Sequence, residues 1–244
     1  MNSSNPVKTL LKSVGRFVGY DSFAMESYSQ EGEDRILARL FNQKTGFYVD
    51  VGAHHPRRFS NTFLFYKRGW SGINIDAMPS SMDAFCRERP RDINLEIPIA
   101  RERKTLTYFE FNDPALNSFS ETLSHSRKPP YKIIATRELE TYPLKDVLEK
   151  YMPQMQQIDF LSVDVEGLDF EALQSNDWLK FRPSVVLVED AKRSISHIQQ
   201  SPIYQLLLKY NYQLYAKSAN TCFYLSDEFL ESIGKSTICS CDSM

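Results

Sequence analysis

Short apolar runs that end at glycine or a carboxylate alternate along this chain with stretches of helical periodicity. Gly46-Phe47-Tyr48-Val49-Asp50-Val51-Gly52 is the first such run, too short and too uniformly apolar for anything but a buried strand. Phe59 to Lys67 reads as helical, and Gly72 to Asp76 is a second strand closed by a carboxylate. A helix from Pro79 to about Arg87 leads to a third strand, Ile93 to Ala100. Ile158 to Asp164 and Ser184 to Glu189 repeat the design, with helices predicted over 144–151, 169–174 and 202–209. Strands alternating with helices argue for an α/β fold with a mostly parallel sheet. Tyr212 to Ala216 and Cys222 to Leu225, joined by a short polar connection, close the pattern as a hairpin, which makes the last strand antiparallel.

The remaining segments are less regular. Val7, Leu10, Leu11, Val14, Phe17 and Val18 recur at helical spacing with Lys8, Lys12 and Arg16 beside them, a basic amphipathic helix expected to pack on its own domain or on a second subunit of a homodimer, with a membrane surface as the alternative. Ser29 to Phe41 reads as a helix with an acidic start, and Thr105 to Phe111 and Tyr131 to Tyr142 as added extended segments. Asn112 to Pro130, rich in Ser, Asn and Pro, is long enough for a functional loop. This divides the chain into a helix and linker over 1–27, one domain over 28–230, and a tail over 231–244.

Composition narrows the class. With 244 residues, 42% of them hydrophobic, the chain can bury one sizeable core. A net charge of -2 gives no field for a polyanion, so nucleic acid is not an expected partner. Cys86, Cys222, Cys239 and Cys241 match neither zinc-site spacing nor a disulfide scaffold, and no apolar run is long enough for a membrane span or a signal peptide, so a cytoplasmic location is expected.

Candidate chemistry collects at the strand ends, where open α/β sheets bind ligands. Gly52 lets the backbone approach a ligand, and Asp76, 26 positions after Asp50, can accept hydrogen bonds from ribose hydroxyls. The sequence after Gly52, Ala53-His54-His55-Pro56, lacks the second and third glycines of a pyrophosphate turn, which disfavours a dinucleotide. A ribose-bearing, phosphate-free cofactor fits, and acidic strand ends suit the sulfonium and ammonium charges of S-adenosylmethionine.

Taken together, Tyr28-Ser29-Gln30-Glu31-Gly32-Glu33-Asp34, Phe47 to Ala53, Asn74-Ile75-Asp76 and Asp164-Val165-Glu166-Gly167 resemble the FkbM-type methyltransferase family in order and spacing. The resemblance, covering roughly residues 28 to 215, implies a class I methyltransferase (Rossmann-like) three-layer sandwich whose seven-stranded sheet has an antiparallel last strand. It implies that Asp50, Gly52, Ala53, Asp76, Ala100, Gln30 and Asp34 bind S-adenosylmethionine, and it extends to nodulation-type fucose O-methyltransferases and to members acting on polyketides. The loop His54-His55-Pro56-Arg57-Arg58 departs from the family's commoner glycine-bearing loop.

Methylating a hydroxyl requires a base, and Glu166 and Asp164 are the preferred candidates, followed by His54 and His55, with Glu189 and His197 also at strand ends or in loops beyond them. Asp164, Glu166, Glu189 and Asp190 could hold a divalent cation or, equally, sugar hydroxyls without metal; no metal site is predicted. The expected activity is O-methylation of a sugar or glycan hydroxyl, with a polyketide-type acceptor or a non-catalytic nucleoside-binding module as alternatives.

Overall fold

A computed structural model describes residues 23–190 and 194–239. The amphipathic segment over residues 7–18 lies outside the described residues. The sequence elements resolve into nine strands and eight α-helices among these residues. They run α1 (Glu33–Leu40), β1 (Phe47–Val51), α2 (Phe63–Lys67), β2 (Ser71–Asp76), α3 (Met82–Glu88), β3 (Ile93–Glu96), β4 (Lys104–Phe111), α4 (Glu121–Ser126) and β5 (Ile133–Thr141). The second half continues with α5 (Leu144–Tyr151), β6 (Phe160–Val163), α6 (Asp169–Gln174), β7 (Val185–Glu189), α7 (Pro202–Lys209), β8 (Tyr212–Lys217), β9 (Thr221–Ser226) and α8 (Asp227–Cys239).

Seven strands form one sheet in the order β3-β2-β1-β6-β7-β9-β8. β9 lies antiparallel between β7 and β8 while β3, β2, β1, β6 and β7 run parallel, the arrangement the resemblance implied. The chain leaves β1 toward β2 on one side, and β6 occupies the other side, so the crevice between them is the switch point of the sheet.

Alternation along the strands splits the core into two layers. Val49, Val51, Leu161, Val163, Val186 and Val188 pack with Leu148 of α5, Leu173 of α6 and Leu207 of α7. Their neighbours Tyr48, Phe160, Val185 and Leu187 face the other way, onto Leu37 of α1, Phe65 of α2 and Phe229 of α8. Among the described residues no helix is long and apolar enough to cross a membrane.

Several boundaries differ from expectation for local reasons. β3 stops at Glu96 because Pro98 has no amide to donate; the chain rejoins its neighbours through Ile97, whose amide bonds Asp76 O, and through an isolated bridge between Ile99 and Tyr142. The predicted helix from Phe59 begins only at Phe63, since Phe59 sits at φ +58. The loop over 112–130 contains a 3-10 turn at Pro114–Leu116 and α4, capped by Ser120. α8 runs through the boundary expected at residue 230.

Candidate active site

Asp50, Asp76, Asp164 and Glu189 end four neighbouring strands, yet they do not share one environment. Gly52 explains the closeness of the two central strands. It adopts φ +83, and a Cβ there would lie 1.7 Å from the carbonyl oxygen of Asp164, so no other residue fits between the ends of β1 and β6. Its amide donates to Ile75 O at 2.9 Å, stitching β1 to β2 as well.

Above this floor opens a cavity of about 450 Å³, within the range of sites for drug-sized ligands. Gly52, Asp76, Asp164, Glu166 and Gln30 lie on its wall, as does His54. Ile75, Ile97 and Ile99 provide an apolar side, and Asn220 from the β8–β9 turn forms part of the rim beside Gln30.

Asp76 is held from both sides. Its Oδ2 accepts from the His54 amide at 2.7 Å and its Oδ1 from the Met78 amide at 2.8 Å. Burial pushes its pKa up while these two donors pull it back, and each oxygen keeps a lone pair for a further donor.

At the end of β6, Asp164 lines the cavity and is exposed to it. Removal from bulk water, then the negative charges of Glu189, Asp169 and Glu166, push its pKa well above the usual carboxylate range. Glu166 is pushed to about 7, first by burial and then by Glu189, against the opposing pull of Arg127. Arg127 Nη2 donates to Glu166 Oε2 at 2.7 Å, and Ser118 Oγ donates to the backbone oxygen of Glu166. Asp169 secures the turn below: its Oδ1 accepts from Val165 N and its Oδ2 from Gly167 N. Among the described residues no three His, Cys, Asp or Glu side chains converge as metal ligands.

His54, at φ +54, has its Nε2 buried without a hydrogen-bond partner among the described residues, and burial together with Arg58 and His55 pushes its pKa down. Phe59 stacks on that ring, with the Arg58 guanidinium 4.4 Å from the Phe59 centroid.

Five expected site residues stand off the cavity wall. Asp50 points to the opposite face of β1, where its Oδ2 accepts from Thr62 Oγ1 at 2.9 Å; Thr62 in turn accepts from Arg89, which pairs with Asp92. Asp34 is fully buried, accepting from Ser27 Oγ, Tyr28 N and Ser29 Oγ, and so fixes the chain that carries Gln30. Ala53 packs on Met82 and Phe85, Ala100 N bonds Tyr142 O, and His55 Nδ1 accepts from the amides of Arg57 and Arg58. His197 bonds with Ser194 and Ser196 and is likewise absent from the wall. Arg58, Phe59, Tyr108, Asp113 and Arg127 do line the cavity and were not singled out as site residues by sequence. The Arg-Phe pair after the histidines, in a loop with no glycine, was the available signal.

Among solved structures, a TehB-like SAM-dependent methyltransferase from Corynebacterium glutamicum aligns over 91% of this chain and 100% of its own, with 8% identity and a TM-score of 0.40. An O-methyltransferase from Bacillus cereus in complex with SAH aligns over 93% of each chain, with 9% identity and a TM-score of 0.39. A comparison with curated proteins finds no match. A family model does match: the methyltransferase FkbM domain, over residues 50–214, which begins at the β1 carboxylate and takes in the whole cavity floor together with the Asp164-Val165-Glu166-Gly167 turn. That match spans more than half of the chain, and the protein therefore belongs to the FkbM methyltransferase family and is an S-adenosylmethionine-dependent methyltransferase.

Proposed function

We propose that the protein is an O-methyltransferase whose acceptor is a hydroxyl of a sugar, glycan or similar polyol, with Glu166 as the base. The observation that carries this reading is a carboxylate on the cavity wall with a pKa of about 7. An acceptor hydroxyl loses its proton as its oxygen is alkylated, and a base with a pKa near the working pH is the efficient choice.

The residues present fit S-adenosylmethionine. Gly52 brings its backbone onto the cavity wall, Asp76 keeps lone pairs for ribose hydroxyls, and Ile97 and Ile99 give an apolar wall for a base ring. Gln30 and Asn220 supply amide groups for the amino-acid end. When bound, S-adenosylmethionine supplies a methyl group on a sulfonium that departs without needing a proton. The protein's own tasks are then to exclude water, to hold the acceptor oxygen in line, and to take its proton on Glu166. His54, half-buried beside Asp76, lines the same space. Asp164, on the same wall, can accept a hydrogen bond from an acceptor hydroxyl.

Support for a sugar-like acceptor comes from Phe59 and Tyr131, cavity residues that remain 41% and 42% exposed, with Asn117 and Asp113 beside them. Aromatic faces stack on the C–H face of a pyranose while amides and carboxylates take its hydroxyls. The test is transfer of a labelled methyl group to a panel of deoxyhexoses, hexoses and oligosaccharides set against phenolic and polyketide hydroxyls. Label in a sugar ether supports the reading. Label found only in non-sugar hydroxyls removes the sugar, and label on nitrogen or sulfur removes O-methylation.

A further inference from the structure

The segment between β3 and α5 stands outside the main sheet. β4 and β5 pair only with each other, and the connection between them returns to Phe109 through a bridge with Ser118. This segment touches the β6 turn at three points. Ser118 Oγ donates to Glu166 O, Arg127 Nη2 donates to Glu166 Oε2 at 2.7 Å, and Ser120 lies so close to Gly167 that a Cβ on that glycine would come within 3.1 Å of Ser120 Cβ.

The turn they grip is unusual. Glu166 has φ +49 and Gly167 φ +101, two left-handed residues in succession, and only the second lacks a side chain. A glutamate settles in that region only where its surroundings hold it, and such outliers gather at functional sites. Here Asp169 holds the flanking amides of Val165 and Gly167, and the inserted segment holds Glu166 itself, by one bond to its backbone carbonyl and one to its carboxylate.

We propose that Arg127 is a positioning residue for methyl transfer: with Ser118 it locks the left-handed Glu166 and aims its carboxylate at the acceptor, so that the segment forming the acceptor wall also sets the base. This rests on the reading of Glu166 as the base. The titratable groups facing Glu166 are the carboxyls of Glu189 at the end of β7, Asp169 at the start of α6 and Asp164 at the end of β6, and the positively charged Arg127 at the end of α4. Arg127 therefore opposes the acidic groups that raise Glu166 and favours the ionised form of the base.

The experiment uses the full chain with a sugar acceptor and follows methyl transfer from about pH 5 to about pH 9 in Arg127→Met, Arg127→Lys, Ser118→Ala and Glu166→Gln variants. Arg127→Met should lower kcat roughly tenfold or more at neutral pH, leave S-adenosylmethionine affinity near the parent value, and move the acid limb of the kcat profile to higher pH. Arg127→Lys should recover a large part of that loss and bring the limb back. Ser118→Ala, which keeps the ion pair, should lower kcat with the limb in place. An unmoved limb in Arg127→Met, or a loss confined to acceptor KM, overturns the positioning role while leaving Glu166 as base. Full turnover in Glu166→Gln overturns the base itself, and the proposal with it.

Discussion

Glu31 accepts hydrogen bonds from both the backbone amide and the side-chain amide of Asn220, at 2.8 and 2.7 Å, across 189 positions of sequence. Ser218 Oγ adds a third at 2.7 Å, and Glu33 takes Thr221 and Ser218 from the other side. The N-terminal loop and the β8–β9 turn are thereby buckled together where Gln30 and Asn220 form the cavity rim. All the bonds to Glu31 come from donors, so Glu31→Gln turns an amide toward them. Both Glu31→Ala and Glu31→Gln should lose about 1–3 kcal/mol of stability, the alanine variant more, and both should weaken cofactor binding. Thermal denaturation and calorimetry with S-adenosylmethionine read the two effects; unchanged cofactor affinity would separate the buckle from the site.

Asp76→Ala removes the acceptor for two amides as well as the proposed ribose contact. Charge-assisted bonds of this kind are worth about 1.5–3 kcal/mol, which corresponds to a loss of cofactor affinity of roughly tenfold to a hundredfold. Titration calorimetry on the folded variant decides it, and affinity equal to the parent's rules out the ribose role.

The environment that suits Glu166 to accept a proton also costs stability. Its carboxyl stays protonated in the folded protein up to about pH 7, against an ordinary value of 4.5, so between those values the native state holds a proton that the unfolded chain has released. Stability attributable to this group is complete below the lower value and declines as pH rises through the upper one. Glu166→Gln, which never ionises and keeps an oxygen for Arg127, should therefore be more stable than the parent near pH 8, by about 1–3 kcal/mol, and no more stable near pH 4. Denaturant melts at the two pH values test this. A gain of the same size at both would contradict it.

Gly52→Ala should not yield a native fold. The added methyl would collide with the Asp164 carbonyl at 1.7 Å in a backbone conformation that alanine disfavours. A loss of at least about 3 kcal/mol is expected, seen as insoluble expression or a strongly lowered melting temperature. A well-folded variant with only weakened cofactor binding would mean that β1 and β6 can part without cost.

Much of this fold is legible in the amino-acid order because short, fully buried strands leave little choice. α5, α6 and α7 match the helical periods residue for residue, and the closing hairpin announced its antiparallel strand. The site was legible at Gly52, Asp76, Asp164 and Glu166, where a strand simply ends in the crevice. Asp50 was not, although strand alternation holds the clue: it shares a face with Tyr48, and both side chains enter the Arg89–Asp92 network on the far side of the sheet. Asp34 was placed near the cofactor by the resemblance, and the structure shows it buried as an anchor for the turn of Ser27 to Ser29. Arg127 was hidden for another reason. Its meaning depends on a partner 39 positions away in a left-handed conformation that no local pattern encodes.

The β4–β5 ribbon leaves the sheet and returns to it at a single neck, where Ile99 bridges Tyr142, Ala100 N bonds Tyr142 O at 3.1 Å, and Tyr142 N bonds Pro98 O at 2.9 Å. Everything between is a pendant cassette, contiguous in sequence, hung over a cofactor half that does not depend on its strand pairing. If this cassette forms the acceptor wall, as proposed above, exchange of one continuous stretch of chain, in evolution or by grafting, would change the acceptor and leave the methyl-donor floor untouched. On the proposed role of Arg127, the constraint on such an exchange is small and specific: the incoming cassette must still present a hydroxyl where Ser118 stands and a cationic side chain where Arg127 stands.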